Sequence, residues 1–166
     1  YFDGVGGEWT LLDSITLGSS TGYNSKHLRI NEGVLNTNGN TIRTGSLKLY
    51  NTATLNLTNS KVYLLGLYND FDSPNLNSGT STIYIIQNGT GSWTLDMGAN
   101  SFHNIIVESV NPSKITDTGG GSINKLEQRG TGAVNLNNVT ADSVIVSPGK
   151  TLELSGTVTV NDYLEM

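Results

Sequence analysis

The sequence predicts an all-β fold, a right-handed parallel β-helix (β-solenoid) of about seven or eight short coils, with a β-sandwich or jelly roll as the alternative. Three observations predict it. Gly, Asn and Thr number 20 each and Ser 17 among 166 residues, nearly half the chain. That composition starves every window of good helix formers, because Asn, Thr and Gly all disfavour helix interiors. Apolar residues alternate with polar ones in runs mostly of four to six residues, the mark of short half-buried strands. Finally, a phrase returns: Gly7-Glu8-Trp9-Thr10-Leu11 comes back as Gly91-Ser92-Trp93-Thr94-Leu95, with both Trp residues of the chain inside it.

The strand-like stretches follow one another closely. The first group is 9–11, 14–17, 27–30 and 33–37, followed by 46–50, 53–57 and 61–65. Next come 81–86, 92–97 and 102–107, then 123–126, 133–136, 143–146, 151–154 and 157–160. They fall in pairs or triplets separated by two to eight residues. This spacing suits coils of about 20 residues better than the longer strands and hairpins of a sandwich. Stacked at about 4.8 Å each, such coils would form a rod of roughly 35–40 Å.

Between the strands lies turn chemistry. Asn38-Gly39-Asn40, Asn88-Gly89, Gly119-Gly120-Gly121 and Ser147-Pro148-Gly149-Lys150 supply left-handed or Pro-initiated corners. Asn suits a solenoid corner because its carboxamide hydrogen-bonds the turn backbone and pairs with Asn in the next coil. The stretch 66–80 lacks alternation and holds Pro74, so it reads as a loop projecting from a single module spanning 1–166.

Composition bounds the function. Charged residues are 14% of the chain, well under the usual ~25%, and there is no Cys, so disulfides and Cys-based metal sites are excluded. A net charge of −5 opposes binding to nucleic acid, which needs a basic face. Lys26, His27 and Arg29 form the densest basic group and read as one solvated strand face. No apolar run approaches the roughly 18 residues that would span a membrane. The opening on Tyr1 suggests a processed product or an excised segment.

Several phrases together carry a family resemblance. They are the Gly-x-Trp-Thr-Leu pair, Gly33-Val34-Leu35-Asn36-Thr37-Asn38-Gly39-Asn40-Thr41, Leu55-Asn56-Leu57-Thr58-Asn59-Ser60, Asn77-Ser78-Gly79-Thr80-Ser81-Thr82-Ile83, Phe102-His103-Asn104-Ile105-Ile106-Val107, and Pro148-Gly149-Lys150-Thr151-Leu152-Glu153-Leu154. Over most of its length the chain resembles the repetitive parallel β-helix modules of bacterial surface adhesins and of bacteriophage tail or appendage proteins. The resemblance implies a surface-exposed structural or adhesive role, outside a cell or on a virion. It supplies no catalytic residue.

Candidate sites cluster on the 66–80 stretch. Tyr68 and Phe71 are suited to stacking on sugar rings, with Asp70, Asp72, Asn75 and Asn77 reading hydroxyls. Tyr23, Tyr50 and Tyr63 offer the same chemistry on strands. Asp70 and Asp72 with the nearby Asn residues also form a weak calcium candidate. Pro74 stands at a ligand position, however, and no Glu closes the loop. Asp96, Asp117, Glu127, Asp142 and Glu153 are the carboxylates available to a glycosidase, but none stands in a recognisable pair. His27 and His103 stand apart from other metal ligands, and His103, beside Phe102 in an alternating strand, should point outward. Scattered Thr-x-Thr phrases, such as those at Thr52–Thr54, Thr116–Thr118 and Thr157–Thr159, are too few for an ice-binding ladder.

The expectation is therefore a non-catalytic structural and adhesive module without a cofactor. The alternatives are a carbohydrate-binding module or a self-assembling fibre or coat subunit. The first and last segments are apolar and strand-like, so neighbouring coils or subunits are expected to cover both ends.

Overall fold

The computed structural model describes residues 1–18, 26–66, 68–71, 75–87 and 91–166. The chain winds through three walls in a repeating order. The first circuit is β1 (Glu8–Thr10), β2 (Ile15–Leu17) and β3 (His27–Ile30), and the second β4 (Val34–Asn36), β5 (Ile42–Thr44) and β6 (Ser46–Leu49). The third circuit is β7 (Thr54–Asn56), β8 (Lys61–Leu64) and β9 (Tyr68–Phe71); the fourth is β10 (Leu76–Asn77), β11 (Thr82–Ile85) and β12 (Trp93–Asp96). From there the chain alternates between two walls: β13 (Phe102–Val107), β14 (Ser113–Thr116), β15 (Ser122–Gln128), β16 (Val134–Asn137), β17 (Thr140–Val146), β18 (Leu152–Ser155) and β19 (Thr159–Glu165).

The first wall has four strands, β1-β4-β7-β10; the second has eight, β2-β5-β8-β11-β13-β15-β17-β19; the third has seven, β3-β6-β9-β12-β14-β16-β18. Each strand pairs in parallel with the one a full circuit away. This is a β-solenoid, and the sandwich alternative falls with the parallel register. Among the described residues the first wall gains no strand after β10. As it disappears, the strands of the second wall lengthen, from three or four residues to six or seven. The longer strands take the chain around without a third side.

Register turns the sequence repeats into columns. Ile15, Ile42, Val62, Ile83, Ile105, Leu126 and Val144 stack inside the second wall, and the exposed Leu164 continues their register on the last strand. Trp9, Leu35, Leu55 and Leu76 stack inside the first. Branched side chains suit this pleated packing, and their burial is the main favourable term in folding.

The corners behave as the turn residues require. Asn38 and Gly39 both take positive φ, and the Asn40 N–H closes the turn on the Thr37 carbonyl at 2.9 Å. Gly149 sits at φ 73° after Pro148, with the Lys150 N–H donating to Ser147 at 3.1 Å. Asn88-Gly89 lies outside the described residues. Gly66 serves another purpose: a Cβ there would overlap the Gly45 carbonyl of the coil below.

The two copies of the Trp phrase occupy different walls. Trp93 is fully buried in the third wall, whereas Trp9 lies in the first wall, half-buried and 5.2 Å from the Phe2 ring. The phrase is a strand-forming unit and does not mark equivalent positions of one repeat.

The 66–80 stretch requires correction. It contributes β9 to the third wall and β10 to the first, so it is not simply a projecting loop. The alternation of β9 is hidden because one of its two inward positions is polar. Asn69 is fully buried, and its Oδ1 accepts the Leu47 N–H at 2.8 Å.

Candidate functional site

The proposed contact residues separate once the strands are placed. Phe71 is fully buried and meets Phe102 edge to face at 5.2 Å, so it is a core residue and not an exposed platform for a sugar. Tyr68 and Asp70 lie on β9, in backbone register with Thr94 and Asp96 of β12. Asp72 and Tyr23 lie outside the described residues. Asn75 is exposed, and Asn77 ends the first wall with its amide donating to Asn56 Oδ1. The residues drawn together by sequence proximity thus divide between two walls and the interior. Asp70 stands in a strand and not on an open loop, and among the described residues no group of three or more His, Asp or Glu could hold a metal ion.

The carboxylates considered for glycosidic chemistry are likewise dispersed. Asp96 accepts the Gly98 N–H and the Thr118 hydroxyl, and Asp117 accepts the N–H groups of Gly119 and Gly120. Asp142 accepts the Asn161 amide, and Glu153 that of Asn135 at 3.4 Å. Each of these carboxylates accepts a hydrogen bond from a turn or from a neighbouring strand.

What remains is the outward side of each wall. On the first wall, Asn36, Asn56 and Asn77 fall in register, and their amides link strand to strand up from Glu8. The outward rungs of the third wall are polar, as in Thr94-Lys114-Asn135-Glu153. The second wall differs. One outward rung reads Arg43-Tyr63-Tyr84-Ile106-Glu127-Ile145. The Tyr63 and Tyr84 rings stack at 4.7 Å with planes 14° apart, and the Arg43 guanidinium lies 5.6 Å from the Tyr63 centroid. Beside this rung runs a second, Lys61-Thr82-Asn104-Lys125-Ser143.

Charge divides this wall in two. Over β5, β8, β11 and β13 it carries Arg43 and Lys61 and not one carboxylate, in a chain of net charge −5. From β15 onward its cations are neutralised. Arg129 forks onto both Glu127 oxygens at 2.6 and 3.0 Å, and it also lies 3.7 Å from Glu108. Lys125 approaches Glu127 at 3.4 Å. The Arg129 hydrogen bond is the main reason the Glu127 carboxyl is held below its ordinary range. Among the described residues neither Arg43 nor Lys61 makes an ion pair.

Sequence reasoning named Tyr63 and missed Tyr84, and it left Arg43 among scattered basic residues without joining it to either. The signal that joins them is the coil period: residues 43, 63 and 84 share a rung only when the chain is folded on that period. No family model matches the chain, and neither does any curated protein or solved structure.

Proposed function

We propose that the chain is a non-catalytic structural and adhesive β-solenoid module of an extracellular surface or virion-appendage protein. The observation that carries this reading is the continuity of the ladders. Seven of the eight strands of the second wall hold one inward apolar column, and each backbone step is hydrogen-bonded to the next circuit. A structure built this way transmits force along its axis through parallel hydrogen bonds and presents long flat faces to a partner. Neighbouring coils or subunits belong to the same reading.

Single-molecule stretching of the 166-residue polypeptide tests the structural role. Release of one coil of about 20 residues should lengthen the tether by roughly 70 Å, at 3.3–3.6 Å per residue. A sequence of such steps under load supports the reading. Collapse of the whole chain in one step at negligible force would sink it.

A second reading, carbohydrate binding, draws on the outward aromatic rung of the second wall. The stacked geometry of Tyr63 and Tyr84 narrows the kind of carbohydrate that rung would suit.

A further inference from the structure

We infer that the outward face of β5, β8, β11 and β13 is a docking strip for an acidic polysaccharide lying along the solenoid axis. The inference rests on the adhesive part of the proposed function and names the ligand class. Neutral sugars are held chiefly by aromatic faces, and here those faces are occupied. Tyr63 is sandwiched between Arg43 and Tyr84, and Tyr84 stands between Tyr63 and, by register, Ile106. The strip therefore offers ring edges, hydroxyls and cations in place of stacking platforms.

Its two cations only donate, whereas the Thr82 hydroxyl and the Asn104 carboxamide both donate and accept. The Arg43 guanidinium, the Lys61 ammonium, the Thr82 hydroxyl and the Asn104 amide lie on two adjacent rungs, each group about one strand spacing, ~4.8 Å, from the next circuit. Guanidinium and ammonium groups recognise carboxylate or sulfate, the guanidinium through a planar fork. No carboxylate lies on these four strands to offset that charge, so the face attracts an anionic chain. Repeating donors one coil apart match a polymer with a charge on successive sugars, not a single small anion.

The test uses the whole chain, with heparin and polygalacturonate as sulfated and carboxylated probes, dextran as the neutral control and single-stranded DNA as the competing polyanion. Binding of either acidic probe at low salt, weakening as salt rises, is the expected result. Lys61→Glu, at an exposed position that keeps the fold, should weaken it by about tenfold or more, as like-charge substitution at a contact does. Arg43→Gln should also weaken it, and Arg43→Lys, which keeps the charge but loses the planar fork, should weaken it less than Arg43→Gln. Lys114→Glu, on the third wall, should leave binding unchanged. The proposal is overturned if neither acidic probe binds, if dextran or DNA binds equally well, or if Lys114→Glu costs as much as Lys61→Glu. Any of these failures leaves the stretching result, and so the structural role, standing on its own.

Discussion

Phe71 and Phe102 meet edge to face at 5.2 Å in the interior, each almost wholly out of water. Truncating Phe71 would leave a cavity that the surrounding strands fill only in part. Phe71→Ala should lower unfolding free energy by about 3–5 kcal/mol, read from the denaturant midpoint. If Phe71 were instead a ligand contact, the midpoint would hardly move. Titratable residues give a second prediction at this scale. His27 is shifted below its ordinary 6.5, chiefly by burial and then by Arg29 and Lys48, and Glu127 below its ordinary 4.5, chiefly by Arg129. In both cases the folded state binds fewer protons than the unfolded chain, so stability falls as pH falls. His27 acts in the window just below 6.5, and Glu127 acts only below 4.5. A thermal midpoint that declines between about pH 7.5 and 5, and declines less in His27→Gln, is the expected outcome.

At the scale of the element, the first wall shows how a short strand is held. Asn56 donates its amide to Asn36 at 2.6 Å and accepts the Asn77 amide, so one side chain joins three strands of only two or three residues. Asn56→Ala removes both bonds and should cost about 1–3 kcal/mol, at 0.5–1.5 each. Asn124→Ala, at an exposed position on the second wall, should stay within about 0.5 kcal/mol of the parent protein. Equal effects of the two changes would show the ladder to be ornamental. Most strands that sequence reading located have two or more inward apolar residues, as Trp93–Asp96 and Phe102–Val107 do, although Glu8–Thr10, Val34–Asn36 and Thr54–Asn56 have one each. Those it missed, Ile42–Thr44, Tyr68–Phe71, Leu76–Asn77 and Ser113–Thr116, place one inward apolar residue beside an inward Thr, Asn or Ser, or are only two residues long. Such polar residues can face inward at a corner because backbone carbonyls there offer partners. Thr37 Oγ1 lies 2.9 Å from both Asn56 O and Leu57 O. The missed strands are also why the contact residues were misplaced. Phe71 looks like a loop aromatic until β9 is recognised, and Tyr84 joins Tyr63 only through the register.

For the whole molecule, stacking in one dimension means that each coil is stabilised by its two neighbours and by little else. The energetic weight of a residue then depends on which coil carries it as much as on its type. Leu136 and Leu154 make the comparison cleanly. They are the same residue on adjacent strands of one column, in direct register, yet Leu136 is fully buried and Leu154 is 59% exposed on the last strand of the third wall. In the 166-residue polypeptide Leu136→Ala should therefore cost about 2–5 kcal/mol, as buried leucines do, and Leu154→Ala under about 1 kcal/mol. Hydrogen exchange should follow the same gradient, with amides of β8, β11 and β13 protected to near the global limit and those of β18 and β19 opening first. If a partner coil or subunit is then stacked on the last circuit, Leu154 becomes an interior position. Its truncation should rise towards the cost of Leu136→Ala while Leu136 itself barely changes. A Leu154→Ala cost that stays small in such an assembly would show that the last circuit is not a stacking surface.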